Sequence, residues 1–182
     1  MTRIFSIGHS TRPLAELIEM LQAHGVLQLV DVRALPGSRR HPHFARSSLA
    51  ATLPAAGIAY LWLPALGGRR QPGQGRSANT AWREAAFRAY ADHMGTAEFA
   101  TARDELEERA RALPTAFMCA EAYYRRCHRQ LLADALVARG WEVLHIESMT
   151  RAPVHALAPF ARVDAGGQVT YPGDPPLPLA SA

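Results

Sequence analysis

Chemically reactive side chains follow or interrupt the apolar stretches of this chain. One stretch ends in residues 8–11, which read Gly-His-Ser-Thr, and another, at 115–119, is followed by Glu121. A carboxylate lies inside a third stretch, at Asp31, just before Arg33. An ionisable group in such an apolar context must find hydrogen-bond partners or change its pKa. These residue types indicate acid–base chemistry beside a cationic binding surface.

The apolar residues recur with a spacing that predicts alternating strands and helices. Leu14, Leu17, Ile18 and Leu21 have helical spacing, and Gly25 ends that segment. The alternation predicts an α/β fold: a single Rossmann-like or flavodoxin-like domain with a mostly parallel five-stranded sheet and helices on both faces. Strands are predicted at 3–7, 27–32, 58–63, 115–119 and 142–146, and helices at 13–24, up to 56, and at 82–93, 96–111 and 127–139.

The same reading sets expected boundaries. The α/β domain is expected to span residues 1–171, and a proline-rich tail is expected at 172–182. Residues 160–163 and 168–171 are predicted to form a hairpin at the end of the domain. The stretch 67–80, rich in glycine and arginine, is predicted to be a mobile loop that closes over a substrate.

The predicted strand order determines which residues should meet. Right-handed crossovers most simply give the order 3-2-1-4-5, and ligands of open α/β sheets bind at the carboxyl edge where that order reverses. We therefore expect His9, Asp31 and Glu121 to lie in one cleft at this edge. For Asp31 the alternative is a structural carboxylate that pairs with Arg33 or with a helix N-terminus.

Composition excludes several kinds of chemistry and permits one class of partner. All 20 basic residues are arginine, so no lysine is present for a Schiff base, a pyridoxal aldimine or a P-loop. The net charge of +4 permits nucleic acid as a partner without requiring it. Two cysteines are too few for a disulfide framework, and no apolar run approaches the ~18 residues that cross a membrane. A cytoplasmic protein with reduced thiols is expected.

Five segments, in order, resemble one protein family. They read Ile-Gly-His-Ser-Thr at 7–11, Val-Asp-Val-Arg at 30–33 with Pro-Gly-Ser-Arg-Arg at 36–40, Leu-Gly-Gly-Arg-Arg at 66–70, Met-Cys-Ala-Glu at 118–121, and Cys-His-Arg at 127–129. Over about residues 3–147 the chain resembles the family catalogued as domain of unknown function 488. The resemblance implies a compact Rossmann-like domain with these motifs around one cleft, and for some members it implies glycosylase action on modified DNA bases. The tripeptide His-Pro-His at 41–43 departs from the family pattern, Asn-Pro-Gln or similar.

The leading hypothesis is a nucleic-acid base-processing enzyme, specifically a monofunctional DNA N-glycosylase. Glu121 or Asp31 would stabilise positive charge on the sugar or activate water, and His9 would donate a hydrogen bond. Without lysine, the enzyme should leave an abasic site uncut. No cofactor, metal or membrane is expected. The predicted substrate-binding residues are Ser10, Thr11, Arg33, Arg39, Arg40, Gly67, Gly68, Arg69, Tyr123, His128 and Arg129.

Three alternatives remain open at this point. Cys119, six residues before Arg125, has the spacing of a cysteine phosphatase loop, and the same thiol suits sulfur transfer. Cys119, Cys127 and His128 form a weak metal-site pattern, because the cysteines lack the usual C-x2-C spacing. A non-enzymatic nucleic-acid-binding module would explain the arginines but would leave Asp31 and Glu121 without a task.

Overall fold

Five parallel strands form the central sheet of the protein. A computed structural model describes residues 2–37, 40–73 and 75–173. The α/β class is confirmed, and the fourth and fifth strands have the predicted bounds. The strands are β1 (Arg3–Gly8), β2 (Gln28–Asp31), β3 (Ala59–Trp62), β4 (Thr115–Cys119) and β5 (Glu142–Ile146).

Helices cover both faces of this sheet, as the sequence predicts. One apolar core lies between the sheet and the first two helices, and it contains Leu17, Leu49 and Met118. The other core lies on the opposite face and contains Leu106 and Phe117. Adjacent residues of β4 therefore enter different cores, because successive side chains of a strand point to opposite faces. The helices are α1 (Leu14–Ala23), α2 (Arg46–Ala55), α3 (Ala85–His93), α4 (Ala97–Ala112) and α5 (Arg129–Val137).

The strand order is β3-β2-β4-β1-β5, so the predicted order 3-2-1-4-5 is wrong. β4 lies between β1 and β2, with Ala116 level with both Phe5 and Leu29. Every residue of β4 before Cys119 is buried, which suits a strand in the middle of the sheet. Sequential strands are neighbours in only about two-thirds of cases, and helix-length connections allow a later strand to enter between two earlier ones. As a result, the carboxyl ends of β1 and β2 flank that of β4.

The C-terminal part of the described chain forms the predicted hairpin. Strands β6 (Arg162–Val163) and β7 (Val169–Thr170) pair antiparallel, and Tyr171 after them is fully buried. The predicted tail lies outside the described residues from 174 onward, so its boundary stays a prediction. Within the described ranges, no helix combines the length and the hydropathy that crossing a membrane requires.

Candidate functional site

A cavity of about 300 Å³ opens at the carboxyl ends of the strands. It is built by the segments that follow β2 and β4, by the glycines before Arg69, and by the residues that lead into α5. Parallel strands bring these distant segments to one edge, which is where α/β folds bind ligands. The chemically reactive residues that line the cavity are Arg33, Arg69, Cys119, Glu121, Arg126, Cys127 and His128.

Two thiols and an imidazole meet in this cavity. The Nδ1 atom of His128 lies 3.8 Å from the Cys119 sulfur and 3.5 Å from the Cys127 sulfur. Cys119 ends β4, and the chain returns through a single 3-10 turn at Tyr124–Arg126 before α5 begins. A hydrogen bond between the thiols raises the pKa of Cys119 and lowers the pKa of Cys127. The pair therefore releases its first proton easily and its second with difficulty.

The loop after β4 holds Glu121 at the mouth of the cavity. The Glu121 side chain is exposed, whereas its carbonyl accepts a hydrogen bond from the buried guanidinium of Arg129. Gly8 of β1 lies so close that a Cβ there would be 1.8 Å from the Glu121 carbonyl oxygen. Arg129 and Gly8 thus fix the backbone from which the Glu121 side chain projects.

Asp31 is completely enclosed and does not line the cavity. Its Oδ1 accepts from the N–H and the Nε–H of Arg33, at 3.0 and 2.8 Å. Its Oδ2 accepts from Nη2 of Arg33 at 2.6 Å and from the Tyr60 hydroxyl at 2.7 Å. Burial, together with the Asp31 carboxylate, raises the pKa of Tyr60. These partners occupy both oxygens, so Asp31 orients Arg33, and its predicted direct role on a substrate stays a prediction.

His9 is joined to Asp31 through the same guanidinium. Nη1 of Arg33 donates to His9 Nε2 at 3.1 Å, and since a guanidinium has no acceptor, that nitrogen is unprotonated. His9 Nδ1 then donates to the Ser10 carbonyl at 2.8 Å. Burial, with a smaller contribution from Arg33, lowers the pKa of His9 to about 4. His9 lies at the predicted edge of the sheet, since its N–H donates to the Cys119 carbonyl, but it does not line the cavity.

The predicted glycines of the site act by close packing. A Cβ at Gly67 would lie 2.7 Å from the backbone nitrogen of Ala34, and a Cβ at Gly68 would lie 2.4 Å from Nδ1 of His128. A side chain at either position would displace the wall of the cavity. Because Gly67 and Gly68 have no side chains, this loop can approach the imidazole of His128.

The other predicted binding residues divide between the cavity and its surroundings. Arg33, Arg69 and His128 line the cavity, whereas Arg129 is buried and donates to Ser6 and to the loop carbonyls. Ser10 has a φ of 52°, and its N–H donates to the Ala120 carbonyl. Their binding roles stay predictions. Thr11, Arg40 and Tyr123 are exposed and line no part of this cavity, and Arg39 lies outside the described residues.

The stretch 67–80 is anchored at both ends. Arg70 donates to the carbonyls of Ala65 and Gly67, and the buried Asn79 donates to Asp92 at 2.7 Å. Tyr171 in turn donates its N–H to Asn79. The exposed described residues between these anchors are 71–73, 75–76 and 78. Closure over a substrate stays a prediction, and the contacts confine it to this central part.

The cysteine phosphatase geometry is not formed. The Arg125 guanidinium lies over the Tyr124 ring, 5.2 Å from its centre, and Arg125 does not line the cavity of Cys119. A phosphatase loop requires that arginine to face the same anion as the thiol. The spacing alone is therefore misleading, because Tyr124 draws Arg125 to another surface.

A buried polar chain beneath the site escapes the sequence analysis. Ser6 lies 2.9 Å from Nδ1 of His145, Nε2 of His145 lies 2.9 Å from Nδ1 of His155, and Nε2 of His155 lies 2.8 Å from Asp134. Arg129 donates to Ser6, so the chain connects the buried guanidinium to the Asp134 carboxylate. Burial, then His155 and nearby arginines, lowers the pKa of His145 to about 2. Polar residues inside apolar strands, at Ser6 and His145, are the signal that could have found it.

Comparison with known proteins identifies the family of this chain. The family model described as "Domain of unknown function DUF488" matches residues 13–136. The chain belongs to this family. No curated protein and no solved structure matches it. The region that matches the DUF488 model contains every reactive residue of the cavity, whereas Gly8, which packs against Glu121, precedes it.

Proposed function

We propose that this DUF488 protein is a hydrolase that acts on the base of a nucleic acid, and that it cleaves the N-glycosidic bond. One observation carries the proposal: the Glu121 carboxylate, which forms no ion pair in the described part of the chain, shares the cavity with arginines. A carboxylate beside the glycosidic bond and cations for phosphate are the groups that this reaction needs.

The charges around the cavity favour an anionic substrate. The charge of Arg33 is balanced by Asp31, at 2.6 Å. Arg69 and Arg126 are exposed and, among the described residues, form no ion pair. These two arginines place two positive charges at the exposed mouth of the cavity, beside the single carboxylate of Glu121. Arginine forks suit phosphate oxygens, so a nucleotide or a nucleic acid strand is favoured over a neutral sugar.

The reaction can be written with the groups present. The bond between the anomeric carbon and the base nitrogen breaks, and its electron pair leaves with the base. The ionised Glu121 stabilises the positive charge that develops on the sugar. The oxygen of a water molecule then bonds to the anomeric carbon, one of its protons passes to Glu121, and Glu121 passes this proton on to the departed base, which restores the carboxylate. The product is an abasic site in an uncut strand, since no lysine is available for an imine.

The test compares Glu121→Gln with a matched exposed control, Glu108→Gln on α4. Both variants and the wild type are incubated with DNA and RNA that carry assorted modified bases, and free bases are identified by mass spectrometry. We expect Glu121→Gln to lower the rate by about 10²–10⁴ and Glu108→Gln to leave it unchanged. Fluorescence anisotropy should show that Glu121→Gln still binds the strand. No released base with any substrate, or an undiminished rate in Glu121→Gln, would refute the proposal.

Sulfur transfer is the second candidate, and the contact of Cys119 with Cys127 favours it. In that reaction Cys119 takes the outer sulfur of thiosulfate and sulfite leaves, and cyanide then removes that sulfur as thiocyanate. The assay is thiocyanate formation by the reduced wild type and by Cys119→Ser. Thiocyanate that only the wild type forms would support sulfur transfer, and its absence in both would eliminate it.

A further inference from the structure

We propose that Cys119, Cys127 and His128 bind one Zn²⁺ ion, and that its fourth coordination position opens into the cavity. All three residues line the cavity, and their sulfur and Nδ1 atoms lie within 4.8 Å of one another. The test of this site is independent of the proposed hydrolase activity, because ion binding is measured without a substrate.

The distances match those of a tetrahedral ion. Zinc lies about 2.3 Å from thiolate sulfur and about 2.0–2.1 Å from imidazole nitrogen. Tetrahedral angles then separate sulfur from nitrogen by about 3.6 Å. The observed separations from His128 Nδ1 are 3.8 Å to Cys119 and 3.5 Å to Cys127. Both sulfur-to-nitrogen separations therefore lie within a few tenths of an ångström of those that a tetrahedral ion requires.

The surroundings of the imidazole support a ligand. His128 is nine-tenths buried, and its Nε2 has no hydrogen-bond partner among the described residues. The ring is held by Gly68 on one side and by the Tyr90 ring, 5.1 Å away, on another. Packing thus aims Nδ1 at the two sulfur atoms, although no hydrogen bond at Nε2 fixes the ring.

The donor atoms indicate which metal binds. Two thiolates and one imidazole suit zinc, whereas magnesium and calcium require oxygen ligands. Three protein ligands leave one position for water or a substrate atom, which is the pattern of catalytic rather than structural zinc sites. The ligand spacing resembles no common zinc motif, because the loop between Cys119 and Cys127, rather than a C-x2-C turn, brings the two sulfurs together.

The first experiment measures zinc binding by the full chain. Protein kept reduced and stripped with a chelator is titrated with Zn²⁺ against a chromophoric chelator, and we expect one ion per chain. Co²⁺ in place of Zn²⁺ should show thiolate-to-cobalt charge transfer and the d–d bands of a tetrahedral site. Azide should shift these bands if the fourth position is open. Failure to bind either ion, or bands of an octahedral oxygen site, would overturn the proposal, and bands that azide leaves unchanged would overturn the open position.

Variants then identify the ligands. Loss of a residue that only hydrogen-bonds to a ligand weakens metal binding by about 10–100-fold. Loss of a ligand itself should have a larger effect, so Cys127→Ser and His128→Asn should weaken zinc binding by more than about 100-fold. His24→Asn, outside the cavity, should have no effect. If circular dichroism shows that a ligand variant does not fold, Gly68→Ala replaces it, because the new Cβ would displace His128 and should weaken zinc binding. Gly73→Ala is its control, since no atom lies within 4 Å of a Cβ there. Folded ligand variants with undiminished affinity would refute the site.

Discussion

Replacement of Asp31 by asparagine removes one charge from a buried ion pair and changes little else. Asp31 is completely buried and Arg33 is 7% exposed, so neither group can turn to solvent. The new amide would face donors with its own NH₂ group, because Arg33 and Tyr60 supply donors to both carboxylate oxygens of Asp31. The guanidinium would keep its bonds to His9 and to the Phe44 carbonyl, but its charge would be unbalanced.

The expected cost follows from that unbalanced charge. Loss of one partner of a buried ion pair costs about 3–5 kcal/mol. We expect the lower end, about 3 kcal/mol, because Arg33 keeps two other acceptors. For a chain of this length, 1 kcal/mol changes the midpoint of thermal unfolding by about 2–4 °C, so the midpoint should fall by roughly 6–12 °C. Tyr60→Phe removes only one hydrogen bond to the carboxylate and should cost about 1.5–3 kcal/mol.

Urea unfolding and differential scanning calorimetry measure these changes. The double variant Asp31→Asn with Arg33→Gln provides the decisive comparison, because it removes the unbalanced charge as well. It should be more stable than Asp31→Asn alone, although both substitutions affect the same buried site. A cost below about 1 kcal/mol for Asp31→Asn, or no recovery in the double variant, would show that the ion pair does not organise this edge of the sheet.

Two other predictions test the supports of the site. Gly8→Ala should destabilise the protein by more than about 3 kcal/mol, because the new Cβ would meet a backbone carbonyl 1.8 Å away, while Gly37→Ala, with no atom within 4 Å, should be neutral in the same urea titration. Burial lowers the pKa of His145 to about 2 and keeps the folded imidazole neutral. Below the unfolded pKa of about 6.5, the unfolded chain therefore binds a proton that the folded chain does not, so the free energy of unfolding decreases as the pH is lowered. Between pH 6.5 and 4.5 this histidine contributes a loss of about 2.3 kcal/mol, which should be absent in His145→Gln and retained in Ser6→Ala; equal pH slopes in all three proteins would contradict it.

The local part of the fold was readable from the sequence. Strands β4 and β5 have the bounds that their apolar runs predict, and α1 follows the spacing of Leu14 to Leu21. Such patterns are readable because hydrogen bonding and side-chain direction within an element depend on neighbours in the chain. The family motifs likewise mark the segments after β2 and β4 that build the cavity.

Partners distant in the sequence were decided only by the tertiary structure. The sequence left open whether Asp31 acts on a substrate or pairs with Arg33, and only the fold shows that Arg33 and Tyr60 enclose it while Glu121 stands open in the cavity. The pairing of β2 with β3 brings Tyr60 to Asp31, whereas the position of β4 between β1 and β2 brings the Glu121 loop against Gly8. The loop that returns Cys127 to Cys119 works in the same way, because a weak pattern in the sequence becomes a cluster of two thiols and an imidazole once the chain folds back. Burial and hydrogen-bond partners belong to the assembled sheet, and for that reason the chemistry of each side chain follows from its neighbours in space.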